Sequence, residues 1–245
     1  MRVIRSHVDQ PLAVGQVVTL PDDSSAHLLR VLRLAPGDEV TLFNGDGYDY
    51  TARLLSAAKR GAQAEVTGRD RVGRESPLRI TLVQGVARGE KMDLVLQKAT
   101  ELGVDAFTPV ITERTEVKLD AERAGKRMAH WRGVVAAACE QSGRAVLPRL
   151  SEPTALSAYA GAERADIRLV LDPAGDVGLA AVAPALGQSI ALVVGPEGGL
   201  SERDLATLRV AGFRGLRLGP RILRTETAGL AAVAALQALY GDLRG

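Results

Sequence analysis

The chain has 245 residues, enough for one large domain or two smaller ones. Hydrophobic residues make up 46% and charged residues 24%, typical of a globular protein, and with only 3% aromatic residues the core must be aliphatic. The single cysteine, Cys139, excludes an internal disulfide framework, and no cysteine–histidine cluster has zinc-ligand spacing. No apolar segment resembles a signal peptide or a membrane span, so we expect a cytoplasmic protein with no membrane partner and no metal.

The net charge of +2 is built mostly from arginine, since only five of the 31 basic residues are lysine. Arginine suits bidentate phosphate contacts and stacking on bases. A GC-rich genome explains the same composition equally well. The charge therefore permits nucleic-acid binding without establishing it.

Residues 1–73 predict a small β-barrel that carries one helix. The helix begins at the capping segment 22–25 and has an apolar stripe that ends at Leu34. An Asn-Gly-Asp-Gly turn at 44–47 joins two of the strands as a hairpin. The segment 71–77 is the expected linker. The predicted strands are 15–20, 38–43, 48–55 and 62–67.

Residues 74–245 alternate strands with helices, which predicts an α/β fold with a mostly parallel sheet covered on both faces. The predicted strands are 78–83, 106–111, 167–171, 189–194 and 213–218. The predicted helices include 90–102, 121–142 and 225–240.

Two glycine-rich loops in the last quarter of the chain form the candidate ligand site. The first is Gly-Pro-Glu-Gly-Gly at 195–199, and the second lies within 218–228. Each follows an apolar run and precedes a helical pattern, so each is predicted to be a turn at the carboxyl end of a strand, where open α/β sheets bind ligands. A lone glycine often only permits a tight turn. These loops also carry Glu197 and Arg224, and Thr225 is a candidate helix cap that would aim free amides at a ligand.

The loops favour a ligand with little negative charge. Neither loop contains lysine, and the chain has no nucleotide-hydrolysing phosphate loop. Backbone groups and the aliphatic side chains of Leu218, Ile222 and Leu223 would meet the ligand, which suits an adenine-bearing molecule better than a triphosphate. We expect a branched side chain at Gly198 to occupy the ligand's volume.

Several basic residues are candidates for RNA contacts. Lys91 and Lys98 are seven residues apart on one helix and so share a face. Arg114 and Arg144 are candidate phosphate clamps, although each could instead pair with a surface carboxylate. In the first domain Arg2, His27, Arg30 and Arg33 are the candidates, together with Arg5, for a local basic patch. Cys139, without a paired histidine motif, is not expected to be a nucleophile.

Five segments together resemble the bacterial 16S ribosomal RNA uridine-N3 methyltransferases, which belong to the SPOUT class of S-adenosylmethionine enzymes. The most specific is Leu-Gly-Pro-Arg-Ile-Leu-Arg-Thr-Glu-Thr-Ala at 218–228, at its distance from Gly-Pro-Glu-Gly-Gly. The resemblance covers essentially the whole chain, including His-Leu-Leu-Arg-Val-Leu-Arg at 27–33. The other three segments are 97–103 with Lys91 ahead of it, 113–114 and 140–144.

The resemblance implies a SPOUT domain whose late loops form a deep trefoil knot, a rare exception to the rule against knots. It also implies a PUA-like barrel that holds RNA, a homodimer and a target uridine near the decoding site of the small ribosomal subunit. The alanine-rich final helix is compatible with close packing at a dimer interface. S-adenosylmethionine would be held by Leu171, Gly195, Pro196, Gly198, Gly199, Leu218, Ile222, Leu223, Thr227 and Ala228.

Methylation at uridine N3 requires the loss of the N3 proton, so catalysis would depend on in-line positioning and on stabilising negative charge on the uracil. Arg224 is the candidate for the second role. Glu197, Glu226 or water could accept the proton. Because N3 is buried in any base pair, the target must be unpaired or flipped out.

The sequence leaves three alternative functions. The chain could be a SPOUT enzyme that methylates another rRNA or tRNA position, such as a ribose hydroxyl. It could be a non-catalytic RNA-binding assembly protein with a degenerate pocket. A Rossmann-type oxidoreductase is disfavoured, because no glycine fingerprint follows the first strand.

Overall fold

The computed structural model describes residues 4–56, 61–117 and 121–244. Arg2, one of the predicted RNA contacts, lies outside these ranges. The chain divides into two compact units. One comprises Met1–Glu75 with Cys139–Leu147, and the other comprises Ser76–Ala138 with Pro148–Gly245. The segment 139–147 therefore belongs to the first unit, although the sequence grouped it with the second.

The first unit is built on a curled five-stranded mixed sheet in the order β1-β3-β4-β5-β2. The β1 and β3 strands run parallel and the other pairs antiparallel. The first strand was not predicted because Arg-Ser-His is polar. Its Arg5 is nevertheless buried, and it donates to the backbone oxygen of Cys139 (2.7 Å) and to Asp49. The strands are β1 (Arg5–His7), β2 (Val17–Thr19), β3 (Glu39–Phe43), β4 (Tyr48–Leu54) and β5 (Gln63–Arg71).

The predicted amino-terminal helix is α-helical only at its start and continues as a π-helical turn. Helix α1 spans Asp22–Ala26, and a π-helical turn continues it over His27–Val31. The Leu32 amide donates to the His27 oxygen at 3.0 Å, and Arg33 has the left-handed φ of 58°. The 3.6-residue period of an ordinary α-helix therefore does not continue through His27–Val31. A π-helical turn is wound more loosely than an α-helix.

The second unit contains a seven-stranded sheet in which every pairing is parallel, as predicted. The order is β12-β10-β11-β6-β7-β8, and β9 also pairs with β7. The strands are β6 (Arg79–Gly85), β7 (Ala106–Ile111), β8 (Arg149–Leu150), β9 (Thr154–Ala155), β10 (Ile167–Leu171), β11 (Ser189–Val194) and β12 (Arg214–Leu216). The helices are α2 (Glu90–Glu101), α3 (Ala121–Ser142), α4 (Leu156–Ala162), α5 (Glu202–Val210) and α6 (Thr225–Tyr240).

Both faces of this sheet are covered, because successive strand residues point to opposite sides. On β11, Leu192 joins a core with residues of α2, α3 and α6, whereas Val193 joins a separate core with residues of α4 and α5. Leu82 and Val83 on β6 divide in the same way. Within the described ranges no helix is long and apolar enough to cross a membrane.

Candidate active site

A cavity of about 430 Å³ lies at the carboxyl ends of β10, β11 and β12. Both glycine-rich loops line it, and each connects a strand to a helix as predicted: β11 to α5 and β12 to α6. The carboxyl edge of a parallel sheet is the general ligand position in open α/β folds. Of the predicted site residues, the cavity is lined by Leu171, Gly195, Pro196, Glu197, Gly199, Leu218, Ile222, Leu223, Arg224 and Ala228.

Gly198 and Thr227, both predicted to hold the cofactor, are not among the residues that line the cavity. A Cβ atom built on Gly198 would lie 3.1 Å from the Arg114 Cβ and 3.3 Å from the Arg114 oxygen. The absence of a side chain at Gly198 therefore admits Arg114. Arg114 also donates to the Gly198 oxygen at 3.0 Å. The side chain predicted as a phosphate clamp thus supports the first glycine-rich loop.

Thr225 does not cap α6 as predicted. The N-cap residue is Arg224, which makes no capping side-chain bond, and its backbone oxygen accepts from the amides of Thr227 and Ala228. The Thr225 hydroxyl instead donates to the Gly195 oxygen at 2.6 Å. This bond joins the start of α6 to the first glycine-rich loop.

Gln84, near the end of β6, supports the same junction and was not found from the sequence. Its side chain is buried, and its Nε2 lies 2.9 Å from the Thr225 hydroxyl and 3.4 Å from the Gly195 oxygen. Its Oε1 is buried and makes no hydrogen bond within the described part of the chain. One amide therefore ties β6 to both loops that line the cavity.

The next residue, Gly85, allows β6 to approach the first loop in backbone contact. A Cβ atom at Gly85 would lie 2.5 Å from Pro196 Cδ, 2.6 Å from Pro196 N and 3.0 Å from the Gly195 carbonyl carbon. No real side chain fits at such distances. Gly85 therefore sets the position of residues that line the cavity.

Glu197 lines the cavity but is held by its neighbours. Its Oε1 accepts from the Arg88 amide at 3.0 Å and lies 3.4 Å from Lys91 Nζ. Burial opposes ionisation of this carboxyl, but backbone amides of Arg88 and Glu197 together with Lys91 lower its pKa. A hydrogen-bonded carboxylate with a lowered pKa is a weak base.

Lys91 lies within ion-pair distance of two carboxylates. Besides Glu197, its Nζ lies 3.9 Å from Glu226 Oε2, an atom that is itself buried and makes no hydrogen bond within the described part of the chain. Lys91 thus links α2 to the first loop and to the first turn of α6. The sequence placed Lys91 among the RNA contacts, and the structure places it beside the first glycine-rich loop.

The first loop is also held at its far end. Ser201 caps α5, and its hydroxyl donates to Glu113 at 2.6 Å, while Arg203 lies 3.2 Å from the same carboxyl group. The hydrogen bond from Ser201, followed by the charge of Arg203, holds the pKa of Glu113 below its ordinary value. Arg114 and Glu113 therefore both brace the loop.

The remaining predicted RNA contacts differ in their surroundings. Lys98 is half-exposed and pairs with Glu101 at 2.8 Å. Arg144 is only 4% exposed and pairs with Glu75 at 2.5 Å, which is the carboxylate pairing that the sequence left open beside the phosphate clamp. Within the first unit, His27, Arg30 and Arg33 are exposed.

Asp172 and Pro173, which directly follow β10, also line the cavity and were not predicted. The rule that located the two glycine-rich loops, a turn at the carboxyl end of a parallel strand, would have located them too. Gln84 offered no such signal, because its partners lie more than a hundred residues away in the chain.

Comparison with known proteins identifies the family. Residues 74–237 match the model of an RNA methyltransferase domain, and residues 20–67 match that of an RNA methyltransferase PUA domain. The chain is 34% identical to ribosomal RNA small subunit methyltransferase E of Mycobacterium bovis, over 95% of this chain and 90% of the relative. It is 32% identical to the Bacillus subtilis protein of that name, over 96% and 95%.

Two solved structures of similar proteins contain the cofactor. Ribosomal RNA small subunit methyltransferase E of Neisseria gonorrhoeae, bound to S-adenosyl methionine, superposes with a TM-score of 0.93 at 43% identity, over 99% of this chain and all of that chain. A Legionella pneumophila methyltransferase in complex with SAM gives 0.95 at 39% identity, with the same coverage. The chain therefore belongs to the ribosomal RNA small subunit methyltransferase E family, with a PUA domain followed by an RNA methyltransferase domain.

Proposed function

We propose that the chain transfers the methyl group of S-adenosylmethionine to N3 of a uridine in 16S rRNA, near the decoding site of the small ribosomal subunit. The observation that carries this proposal is the cavity formed by the two glycine-rich loops at the carboxyl edge of the sheet. Membership of the methyltransferase E family and the cofactor-bound relatives support it.

The residues of the cavity fit S-adenosylmethionine. About 430 Å³ is within the range of small-molecule sites. Leu171, Leu218 and Ile222 supply apolar surface for an adenosine, and lysine is absent from the lining. When bound, the cofactor supplies an electrophilic methyl group on a sulfonium.

Arg224 is the residue we assign to the reaction itself. It lines the cavity, is solvent-exposed and directly precedes α6 as its N-cap residue, so its guanidinium can reach a substrate at the cavity mouth. A guanidinium stays protonated and donates hydrogen bonds in a fixed fork. It would stabilise the negative charge that the uracil carries once N3 has lost its proton.

We assign Glu197 to holding the loop and not to accepting the N3 proton. Its bonds to Arg88 and Lys91 and its lowered pKa support that assignment. Glu226 is not among the cavity-lining residues, and its Oε2 is buried. Solvent water is then the acceptor that we propose for the N3 proton.

We further propose that residues 1–73 bind RNA and residues 74–245 hold the cofactor. His27, Arg30 and Arg33 are exposed in the first of these, with Arg2 at its start. Lys98 and Arg114 are the proposed contacts in the second, whereas the buried Arg144 is proposed to hold Glu75 and not RNA.

The resemblance to SPOUT enzymes also leads us to propose that the late loops are knotted, that the enzyme is a cytoplasmic homodimer, and that the active site lies near the subunit interface. The backbone contact between Gly85 and Pro196 is compatible with a tightly threaded loop. Light scattering of the purified protein tests the dimer, and a monomer at micromolar concentration would contradict it.

Nucleoside analysis of 16S rRNA from a deletion strain tests the proposed function. We expect 3-methyluridine to disappear on deletion, to return with the wild-type gene and to stay absent with Arg224→Ala. Loss of a ribose-methylated nucleoside instead would identify a SPOUT enzyme with another target. Unchanged nucleosides would contradict the enzymatic role.

A further inference from the structure

A second cavity, of about 520 Å³, lies in the first unit at the end of the β4–β5 ribbon. Tyr48, Arg71, Asp46 and Glu75 are among the residues that line it. Nothing in the methyl transfer described above uses it. One tyrosine, one arginine and two carboxylates line this cavity, whereas no aromatic residue lines the cofactor cavity.

The strand register places four side chains on one face of this ribbon. Tyr48 pairs directly with Arg71, and Tyr50 pairs with Arg69, so that the two tyrosines and two arginines stand on the same side. The Arg69 guanidinium lies 4.5 Å from the centroid of the Tyr48 ring. Tyr50 is buried in the core of the first unit, Tyr48 is half-buried and both arginines are exposed, so Tyr48 is the aromatic side chain that the face presents.

The acidic residues of the ribbon and its cavity either lie on the opposite face or are paired with a neighbouring side chain. Asp49 and Asp70 pair with each other on the opposite face, and Asp49 is bound by Arg5 at 2.5 Å. Within the cavity, Asp46 accepts from the Tyr50 hydroxyl at 2.6 Å, and Glu75 is paired with Arg144. The tyrosine–arginine face is therefore the positive side of the ribbon.

From this arrangement we propose that the Tyr48–Arg71 cavity binds one unpaired nucleotide of the rRNA substrate, separate from the target uridine. The base stacks on the face of the Tyr48 ring that the Arg69 guanidinium does not cover, and Arg71 contacts the adjoining phosphate. Tyrosine rings and arginine guanidinium groups provide the stacking surface and the charge that single-stranded nucleic acid requires. The inference rests on the proposed function only in taking RNA as the substrate.

The test measures equilibrium binding of the full-length protein to a fluorescein-labelled single-stranded RNA copied from the small-subunit rRNA, without cofactor. We expect Tyr48→Leu and Arg71→Gln each to weaken binding about tenfold. Tyr48→Phe keeps the ring and should bind like the wild type. Arg53→Gln, further along β4 and exposed, removes the same charge and should change affinity by less than about twofold.

Salt dependence separates the two contacts. Arg71→Gln should reduce the slope of log affinity against log salt concentration by about 0.7, the value for one phosphate contact on a single strand. Tyr48→Leu should leave the slope unchanged. In turnover assays on rRNA, both variants should raise KM without changing kcat or the affinity for S-adenosylmethionine.

Three results would overturn the proposal. RNA affinity equal to that of the wild type in both variants would exclude the contact. An equal loss of RNA affinity in Arg53→Gln would show that the effect of Arg71→Gln comes from the net charge of the protein and not from a specific contact. Normal RNA binding with activity lost only on assembled subunits would indicate a protein partner. If the wild type binds RNA but methylates nothing, the proposed function fails and the cavity proposal is still decided by the binding series.

Discussion

Replacing Gly85 with alanine is expected to displace Pro196, a residue that lines the cofactor cavity. The new Cβ would stand 2.5 Å from Pro196 Cδ and 2.6 Å from Pro196 N, well inside van der Waals contact. Two of these neighbours belong to the backbone and ring of a loop residue, so the loop itself must move. Overpacking of this kind costs about 1–3 kcal/mol.

Because Pro196 and Gly195 line the cavity, we expect that cost to appear mainly as lost cofactor affinity. A change of about 1–3 kcal/mol corresponds to a roughly 5- to 150-fold higher Kd for S-adenosylmethionine. Titration calorimetry measures it directly. The melting temperature should fall by no more than about 12 °C, at about 2–4 °C per kcal/mol for a chain of this size.

Gly133→Ala is the matched control for the same substitution. Gly133 lies in α3, and a Cβ there would meet no atom within 4 Å. We expect unchanged cofactor affinity and equal or slightly higher stability, since alanine favours a helix over glycine by about 1 kcal/mol. If Gly85→Ala binds the cofactor like the wild type, the contact between β6 and the loop does not determine the cavity.

Three further predictions concern individual side chains. Arg224→Ala should keep cofactor affinity but lower kcat by about 100-fold or more, the effect of losing one preorganised donor, and near-normal turnover would remove its assigned role. Glu197→Gln should lower kcat by less than about tenfold, whereas loss of a general base costs about 100-fold or more. Since Glu197 has a lowered pKa, its anchoring is complete above about pH 4.3 and is lost only as the pH falls further, so cofactor affinity should stay flat between about pH 5 and 8. Burial raises the pKa of the Cys139 thiol to about 11, so a thiol reagent at about pH 8 should label it only after denaturation, and rapid labelling of the folded protein would contradict its burial.

The sequence was sufficient to locate the cavity, because its signals are local. Each glycine-rich loop lies between an apolar strand and a helix, and that order alone places it at the carboxyl edge of a parallel sheet. Leu218, Ile222 and Arg224 all line the cavity as predicted. The parallel, two-sided sheet followed from the same alternation of strands and helices.

Contacts distant in sequence could not be predicted in the same way. Lys91 and Glu197 were assigned to RNA and to catalysis, yet they lie 3.4 Å apart, a relation that depends on how β6 and β11 pair. Gly198 lies in a glycine-rich loop of the kind that contacts ligands, but only the fold shows that it faces Arg114. The π-helical turn after Ala26 was missed because an apolar stripe predicts a helix of ordinary period.

Methyl transfer by the purified protein is the most direct test of the central claim. The enzyme is incubated with rRNA from the deletion strain and with S-adenosylmethionine that carries a deuterated methyl group, and the digested nucleosides are examined by mass spectrometry. We predict deuterated 3-methyluridine with the wild type and its near absence with Arg224→Ala. Deuterium in a ribose methyl group or in another base, or no transfer to small-subunit rRNA in either form, would contradict the account.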